Sequence, residues 1–314
     1  MEIDPFSVFE DLDVRRARRL NHVLAHLPRY HTGRRLNARI INGVVKLAGI
    51  LLPKPRQRDV TIDIVKLRAD DREIPIRLLR PQGPVAALYL HFHGGAWILG
   101  NSQLDDGWNA EIARSGNVAI ASGDFHLAVD DDLERTIRDA VALTKWALDR
   151  LPEFGTDRLV VEGESSGAHL AACALLQVAK RQPLDNVAGF VSFCGAFDMS
   201  GSRSLVNARR SLIIDPASAV HNLERLTMRS RATTPEVSPI FADLTGMPPA
   251  LFIAGALDPI LDDSRRIHDV WQRQTGHADL LVVPEGPHGF ERLPTRLAAK
   301  ARDFLCGWIK ERLG

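Results

Sequence analysis

The stretch Val161-Glu162-Gly163-Glu164-Ser165-Ser166-Gly167-Ala168-His169 sets a hydroxyl between two glycines, directly after one apolar run and directly before another. Glycine weakens strands and helices alike, so a pair of them around small polar residues marks a place where the backbone decides what fits. The run before it, from Arg158 to Gly163, reads as a buried strand. The run after it, from Ala168 to Lys180, reads as a helix. A strand that gives way to a helix within five residues needs a sharp turn, and Gly163 to Gly167 supply it.

Outward from this turn the same alternation repeats. Short, nearly continuous apolar runs stand at 86–92, 118–122, 187–193, 250–256 and 279–283. Helical patterns lie between most of them, including Leu133–Leu151 and Ser264–Gln274. Buried strands alternating with helices predict a mostly parallel central sheet covered on both faces. Val60 to Leu67 alternates instead, and Ile74 to Arg80 follows a charged turn, which predicts an antiparallel hairpin. Leu297, Ala301, Phe304, Leu305, Trp308 and Ile309 share one face of a last helix.

Two segments stand outside the alternation. In the first 57 residues, Val14, Ala17, Leu20, Leu24 and Leu27 recur at helical spacing before Pro28. Leu36, Ile40, Val44, Leu47 and Leu51 do so before Pro53. The stripe from Leu36 to Leu52 is expected to be buried over the open edge above Ser165, because exposure would leave an aggregation-prone patch. The second segment, about Met199 to Pro235, is polar and basic with no strand pattern, and reads as a helical excursion from the sheet.

Composition sets the bounds. The chain has 314 residues, 45% hydrophobic and 25% charged, with a formal net charge of +1. That is the balance of an ordinary globular protein, with no global field favouring nucleic acid. Residues 1–60 hold twelve Lys and Arg against six Asp and Glu, which reads as a basic helix face. The longest apolar stretch, Ile40–Leu52, has 13 residues and an internal lysine, short of the roughly 20 needed to span a bilayer. Cys173, Cys194 and Cys306 match no metal spacing and no disulfide framework. With an acidic N-terminus unlike a signal peptide, they point to a reducing cytoplasm.

Gly-x-Ser-x-Gly in a strand–turn–helix setting is a nucleophile elbow, though the bare pattern also fits a tight connection. Such a serine needs a base, an orienting acid and an oxyanion site. His288, in Pro-Glu-Gly-Pro-His-Gly-Phe after the last apolar run, is the candidate base. Asp258, in Ala-Leu-Asp-Pro-Ile-Leu-Asp-Asp after the run before it, is the candidate acid. Asp258-Pro259 also fits a helix cap, and Asp262 and Asp263 are rival acids that fall within the following helix. Groups in open parallel sheets gather at the strands' carboxyl ends, which brings Ser165, Asp258 and His288 to one edge in the chain order of this elbow fold. His91-Phe-His-Gly-Gly-Ala-Trp97 follows another strand. Its Gly94, Gly95 and Ala96 N–H groups, with that of Ser166, are candidate oxyanion donors, and His93 is expected to brace the loop. Trp97 and Phe290, beside the loop and the histidine, are the candidate substrate contacts.

These motifs together resemble the hormone-sensitive-lipase family of α/β-hydrolases, the bacterial family IV esterases, from about Asp59 to the C-terminus. Ser238 to Leu244 and Asp258-Pro-Ile-Leu-Asp are similar to further family motifs. The family's His-Gly-Gly-Gly stands here as His93-Gly94-Gly95-Ala96. Its Gly-Asp-Ser-Ala-Gly stands as Gly-Glu-Ser-Ser-Gly, and its Tyr-Arg-Leu-Ala-Pro-Glu as Phe125 to Asp130. The resemblance implies an α/β-hydrolase fold with a helical cap. The cap would be built from residues 1–57 and an insertion at 199–235, over a catalytic domain of 58–198 and 236–314. It also implies a serine carboxylic-ester hydrolase for short- to medium-chain acyl esters. An aryl formamidase or amidase on the same scaffold, and a non-catalytic ligand-binding relative, stay open as alternatives. The expected partners are a small-molecule ester and water. No cofactor, metal, nucleic acid or stable membrane insertion is expected, and a homodimer is left open.

Overall fold

The computed structural model describes residues 1–27, 29, 31, 35–51, 59–69, 72–209 and 211–314; the side chains at 35, 45, 46 and 48–51 are outside that description. Pro28, Leu52, Pro53 and the charged turn at 70–71, named above, lie outside the described residues, as does the side chain of Leu51.

The strands are β1 (Glu2–Ile3), β2 (Val60–Ala69), β3 (Arg72–Pro81), β4 (Ala87–Phe92), β5 (Val118–Gly123), β6 (Leu159–Glu164), β7 (Val187–Phe193), β8 (Ala250–Gly255) and β9 (Ala278–Val283). Among the described residues they form a nine-stranded sheet in the order β1-β9-β8-β7-β6-β4-β5-β3-β2. β2 pairs antiparallel with β3, and β3 with β5; the other pairings are parallel. The helices are α1 (Asp11–Leu24), α2 (Arg35–Leu51), α3 (Asp106–Gly116), α4 (Leu133–Asp149), α5 (Ser166–Ala179), α6 (Arg203–Asn207), α7 (Pro216–Leu226), α8 (Leu261–Thr275) and α9 (Arg296–Leu313). None among the described residues is long and apolar enough to cross a membrane.

Side chains alternate across each strand, so one strand feeds two cores. Leu88, Leu90 and Phe92 of β4 join the core under α4, α5 and α8. Ala87 and Tyr89 join the core under α3 and α9. The runs read as strands are therefore unbroken because both faces are covered. One strand, β1, carries no sequence signal. Two residues at the chain start pair with Leu280 and Leu281 at the sheet edge.

The expectation for the apolar stripe of α2 is corrected. Leu36 is 68% exposed, and Ile40, Val44 and Leu47 are also more than half exposed. The helix docks through its other side, where Ala38 is buried, Ile41 packs on the core and Asn42 bonds to backbone. The small Ala38 side chain permits close approach on that face, and the Asn42 amide ties it to the Ile98 carbonyl and the Gly100 N–H.

Phe190 of β7, Phe252 of β8 and Trp271 of α8 form a fully buried aromatic cluster, with Phe190 stacked on Trp271 at 5.1 Å between centroids. Truncating such a ring loses transfer energy and leaves a cavity. Phe252→Ala should lower unfolding stability by about 3–5 kcal/mol, read from urea denaturation with the m-value as control.

Candidate active site

β6 ends at Glu164, α5 begins at Ser166, and Ser165 bridges them with φ 53° and ψ −116°. That conformation costs of order 1–3 kcal/mol and persists only where the surroundings impose it. Here they do. The Ser165 N–H donates to the Phe193 carbonyl at 2.8 Å. A Cβ on Gly163 would lie 2.3 Å from the Gly167 carbonyl carbon, and one on Gly167 would lie 2.0 Å from the Phe92 carbonyl oxygen. The two glycines exist because the strand, the helix and the neighbouring β4 touch backbone to backbone.

The hydroxyl so presented meets His288, whose Nε2 lies 2.9 Å from Ser165 Oγ. His288 Nδ1 lies 3.1 and 3.0 Å from the two oxygens of Asp258. A carboxylate only accepts, so Nδ1 carries the proton and Nε2 offers its lone pair to the serine. Burial pulls the His288 pKa down. The charge and hydrogen bond of Asp258 outweigh it and leave the pKa above its ordinary 6.5. Asp258 also accepts the Ile260 N–H at 2.9 Å, a local turn bond, while the N-cap of α8 is Ile260 and carries no side-chain cap. The rival acids are engaged elsewhere. Asp262 accepts from Ser204 N–H, and Asp263 from the N–H groups of Phe197 and Asp198.

Gly94 to Trp97 run along the other side of the serine. Gly95 has φ 134°, Ala96 φ 53° and Trp97 φ 64°. A Cβ on Gly95 would strike the Leu99 carbonyl oxygen at 2.0 Å. Ala96 and Trp97 occupy the left-handed region without glycine's freedom, at about 1–2 kcal/mol each. In exchange the loop turns tightly enough to close Ile98 and Leu99 N–H onto the Gly95 carbonyl. His93 stacks on Phe125 and donates Nδ1–H to the Gly94 carbonyl at 2.8 Å. No acceptor among the described residues takes the N–H groups of Gly94, Gly95 or Ala96.

A cavity of about 360 Å³ opens on Ser165 and His288. Gly94, Gly95, Ala96 and Trp97 form one wall, and Ile41 of α2 and Leu223 of α7 contribute to another. Trp97 is held by its indole N–H, which donates to His169 Nδ1 at 3.0 Å. Burial keeps His169 neutral by lowering its pKa to about 4, and its Nε2–H donates to the Val237 carbonyl. Phe290 is not a cavity residue. It is 1% exposed and packs in the core near Phe193, since the turn after His288 points the ring down into the layer under α9.

Sequence reasoning missed the charged layer beneath the elbow. Arg292 pairs with Glu164, the residue before the serine, and with Asp105 at 2.5 Å. Burial pushes the Glu164 pKa up to about 8, against the pull of Arg292. Burial likewise lowers His91, below it on β4, to about 4 and keeps the ring uncharged. The polar residue inside the elbow motif was the available signal.

The sequence and fold have known counterparts. A model of the alpha/beta hydrolase fold family matches residues 89–292. An arylesterase of Saccharolobus solfataricus is 29% identical over 205 residues, covering 63% of this chain and 66% of the relative. The carboxylic ester hydrolase LipN of Mycobacterium tuberculosis is 26% identical over 269 residues, covering 77% of this chain and 67% of the relative. The chain thus spans about two thirds of the length of these relatives. Among solved structures, a hormone-sensitive-lipase homologue from a metagenome library, EstE7, matches with a TM-score of 0.79 at 24% identity, over 95% of this chain and 99% of that one.

The geometry at His288 has a pH consequence. A base works when neutral, so with His288 as the candidate base kcat/KM on a neutral ester should rise with pH through a midpoint above 6.5. Asp258→Asn removes the charge that holds the imidazole up and leaves the wrong tautomer. Turnover should fall about ten-thousand-fold and the midpoint should move down. A pH–rate profile of both proteins reads this, and an unmoved midpoint would contradict the assignment.

Proposed function

The chain belongs to the alpha/beta hydrolase fold family, and from that membership we propose that it is a serine carboxylic-ester hydrolase working through an acyl-enzyme. The observation that carries this reading is the unbroken contact series from Ser165 Oγ through His288 to Asp258, opening on a cavity beside free backbone N–H groups.

Ser165 Oγ attacks the ester carbonyl carbon while its proton passes to His288 Nε2. The carbonyl oxygen takes the negative charge and is held by N–H groups of the Gly94–Ala96 loop and of Ser166. The N-terminal end of α5 adds its dipole at the same place. Asp258 stabilises the imidazolium. The carbon–oxygen bond to the alcohol then breaks, and His288 returns the proton to the leaving oxygen. Water attacks the acyl-serine by the same route, giving its proton to His288; the acyl bond to Ser165 Oγ then breaks, His288 returns the proton to that oxygen, and the carboxylic acid leaves.

In this reading residues 1–57 and 199–235 are two parts of a cap over a catalytic domain of 58–198 and 236–314. Ile41 and Leu223, one from each part, line the cavity and support that division. Trp97 is a substrate contact. A cavity of about 360 Å³ with an apolar wall favours short- to medium-chain acyl esters over bulky lipids. The printed names of the relatives, arylesterase and carboxylic ester hydrolase, support the same chemistry. The three cysteines are free and buried, which supports a reducing cytoplasm. Assembly as a homodimer belongs to the same reading and is open to sedimentation analysis.

A fluorophosphonate should add once, at Ser165, and mass spectrometry should find no label in Ser165→Ala. Turnover of p-nitrophenyl esters should be greatest from acetyl to about octanoyl and should vanish in Ser165→Ala. Labelling at another residue, or turnover that survives the substitution, would sink the proposal.

A further inference from the structure

The turn that carries the oxyanion donors is gripped from outside the sheet. Asn42 of α2 meets it with both ends of its amide. Its Nδ2 donates to the Ile98 carbonyl at 2.8 Å, and its Oδ1 accepts the Gly100 N–H at 3.2 Å. Asn222 of α7, 1% exposed, donates Nδ2 to the Ala96 carbonyl at 3.1 Å. The Asn222 amide is itself oriented, because its Oδ1 accepts from Arg225 Nη2 at 2.9 Å and Arg225 pairs with Asp131.

The remaining carbonyls of the turn are satisfied within the body. The His93 ring donates to Gly94, the Ile98 and Leu99 N–H groups to Gly95, and the Ala128 N–H to Trp97. Every carbonyl from Gly94 to Ile98 is therefore engaged, two of them by asparagines from the two helical segments. The consequence follows from the peptide plane, in which a C=O and the next N–H point in opposite directions. The Ala96 N–H faces the site only while the Gly95 carbonyl stays closed onto Ile98 and Leu99. That closure runs through Ala96 and Trp97, both held at positive φ. Rotating the Ala96–Trp97 peptide would return Trp97 to negative φ and open the turn. Asn222 holds that peptide, and Asn42 holds the far end at Ile98 and Gly100.

We propose that Asn42 and Asn222 are positioning residues for the oxyanion hole, so that the hole is complete only when both α2 and α7 are docked over the site. The inference rests on the serine-hydrolase reading and adds to it a dependence of the oxyanion site on side chains from the two helical segments.

The test uses the full chain and compares wild type, Ser165→Ala, Asn42→Ala, Asn222→Ala and Asn222→Asp, with circular dichroism and thermal melting as folding controls. Asn222→Asp keeps the volume and the acceptor toward Arg225 while deleting the donor toward Ala96. Losing one oxyanion donor outright costs about 10²–10³ in kcat, so misaligning the turn should cost about 10–100-fold. Each asparagine variant should lose that factor in kcat with KM changed less than about threefold. Each should bind an alkyl trifluoromethyl ketone, whose serine adduct carries an oxyanion, more weakly by the same factor. A merely structural role would lower the melting temperature, or raise KM, without that matched loss. Folded variants with wild-type kcat and ketone affinity overturn the inference. If Asn222→Ala does not fold, Asn222→Asp and Asn42→Ala decide it by the same readout. Wild type without Ser165-dependent turnover would sink the hydrolase reading and this inference with it, whereas normal wild-type turnover with unaffected asparagine variants sinks the inference alone.

Discussion

Backbone contact at one point sets the terms for everything above the sheet. At Gly163 and Gly167 the end of β6, the start of α5 and the end of β4 leave no room for a β-carbon. Ser165 is forced into a conformation it would not choose, and its hydroxyl is lifted clear of the strand. The same crowding brings Gly94 against the Glu164 carbonyl, so the serine and the Gly94–Trp97 loop are neighbours for a steric reason. His288 and Asp258 then need only to follow β9 and β8 at the same edge, and a parallel sheet delivers that without further arrangement.

Beneath the turn the electrostatics are unusual for a protein interior. His91, Asp105 and Glu164 bring ligand-type atoms within 4.8 Å of one another, the kind of grouping that could hold a cation. The guanidinium of Arg292 already engages both carboxylates. Removing it would strand buried charge, a far larger penalty than the pair's net contribution. Arg292 lies four residues past His288, so one side chain ties the histidine's loop to the elbow.

The elements most legible in the sequence were those whose signal is local and whose environment is uniform. The run 118–122 became Val118–Gly123, and 187–193 matched to the residue, because strands buried on both faces read as unbroken apolar stretches. The convergence of Ser165, Asp258 and His288 at one edge was legible because short loops at strand ends leave few places for them to go. The failures share a different cause. For α2 the longest stripe signalled a buried face, yet the docked face carries Ala38 and the hydrogen-bonded amide of Asn42, which no periodicity records. Phe290 stands two residues past His288 in sequence but packs in the core beside Phe193. Asn222 sits in a polar helix with no motif around it, and its partner is 126 residues distant.

The cysteines described earlier have a practical side. All three are buried, and burial pushes every one of their thiols up, Cys306 to about 11. Thiolate is the reactive form, so the chain is a quiet background for maleimide and methanethiosulfonate chemistry. A single cysteine introduced on the exposed side of α2, at Leu36 or Val44, would be the one accessible thiol. It could carry a spin label or fluorophore without first stripping the native sulfurs from the core. The placement of that helix beside the cavity thus becomes a spectroscopic observable in an otherwise unaltered protein.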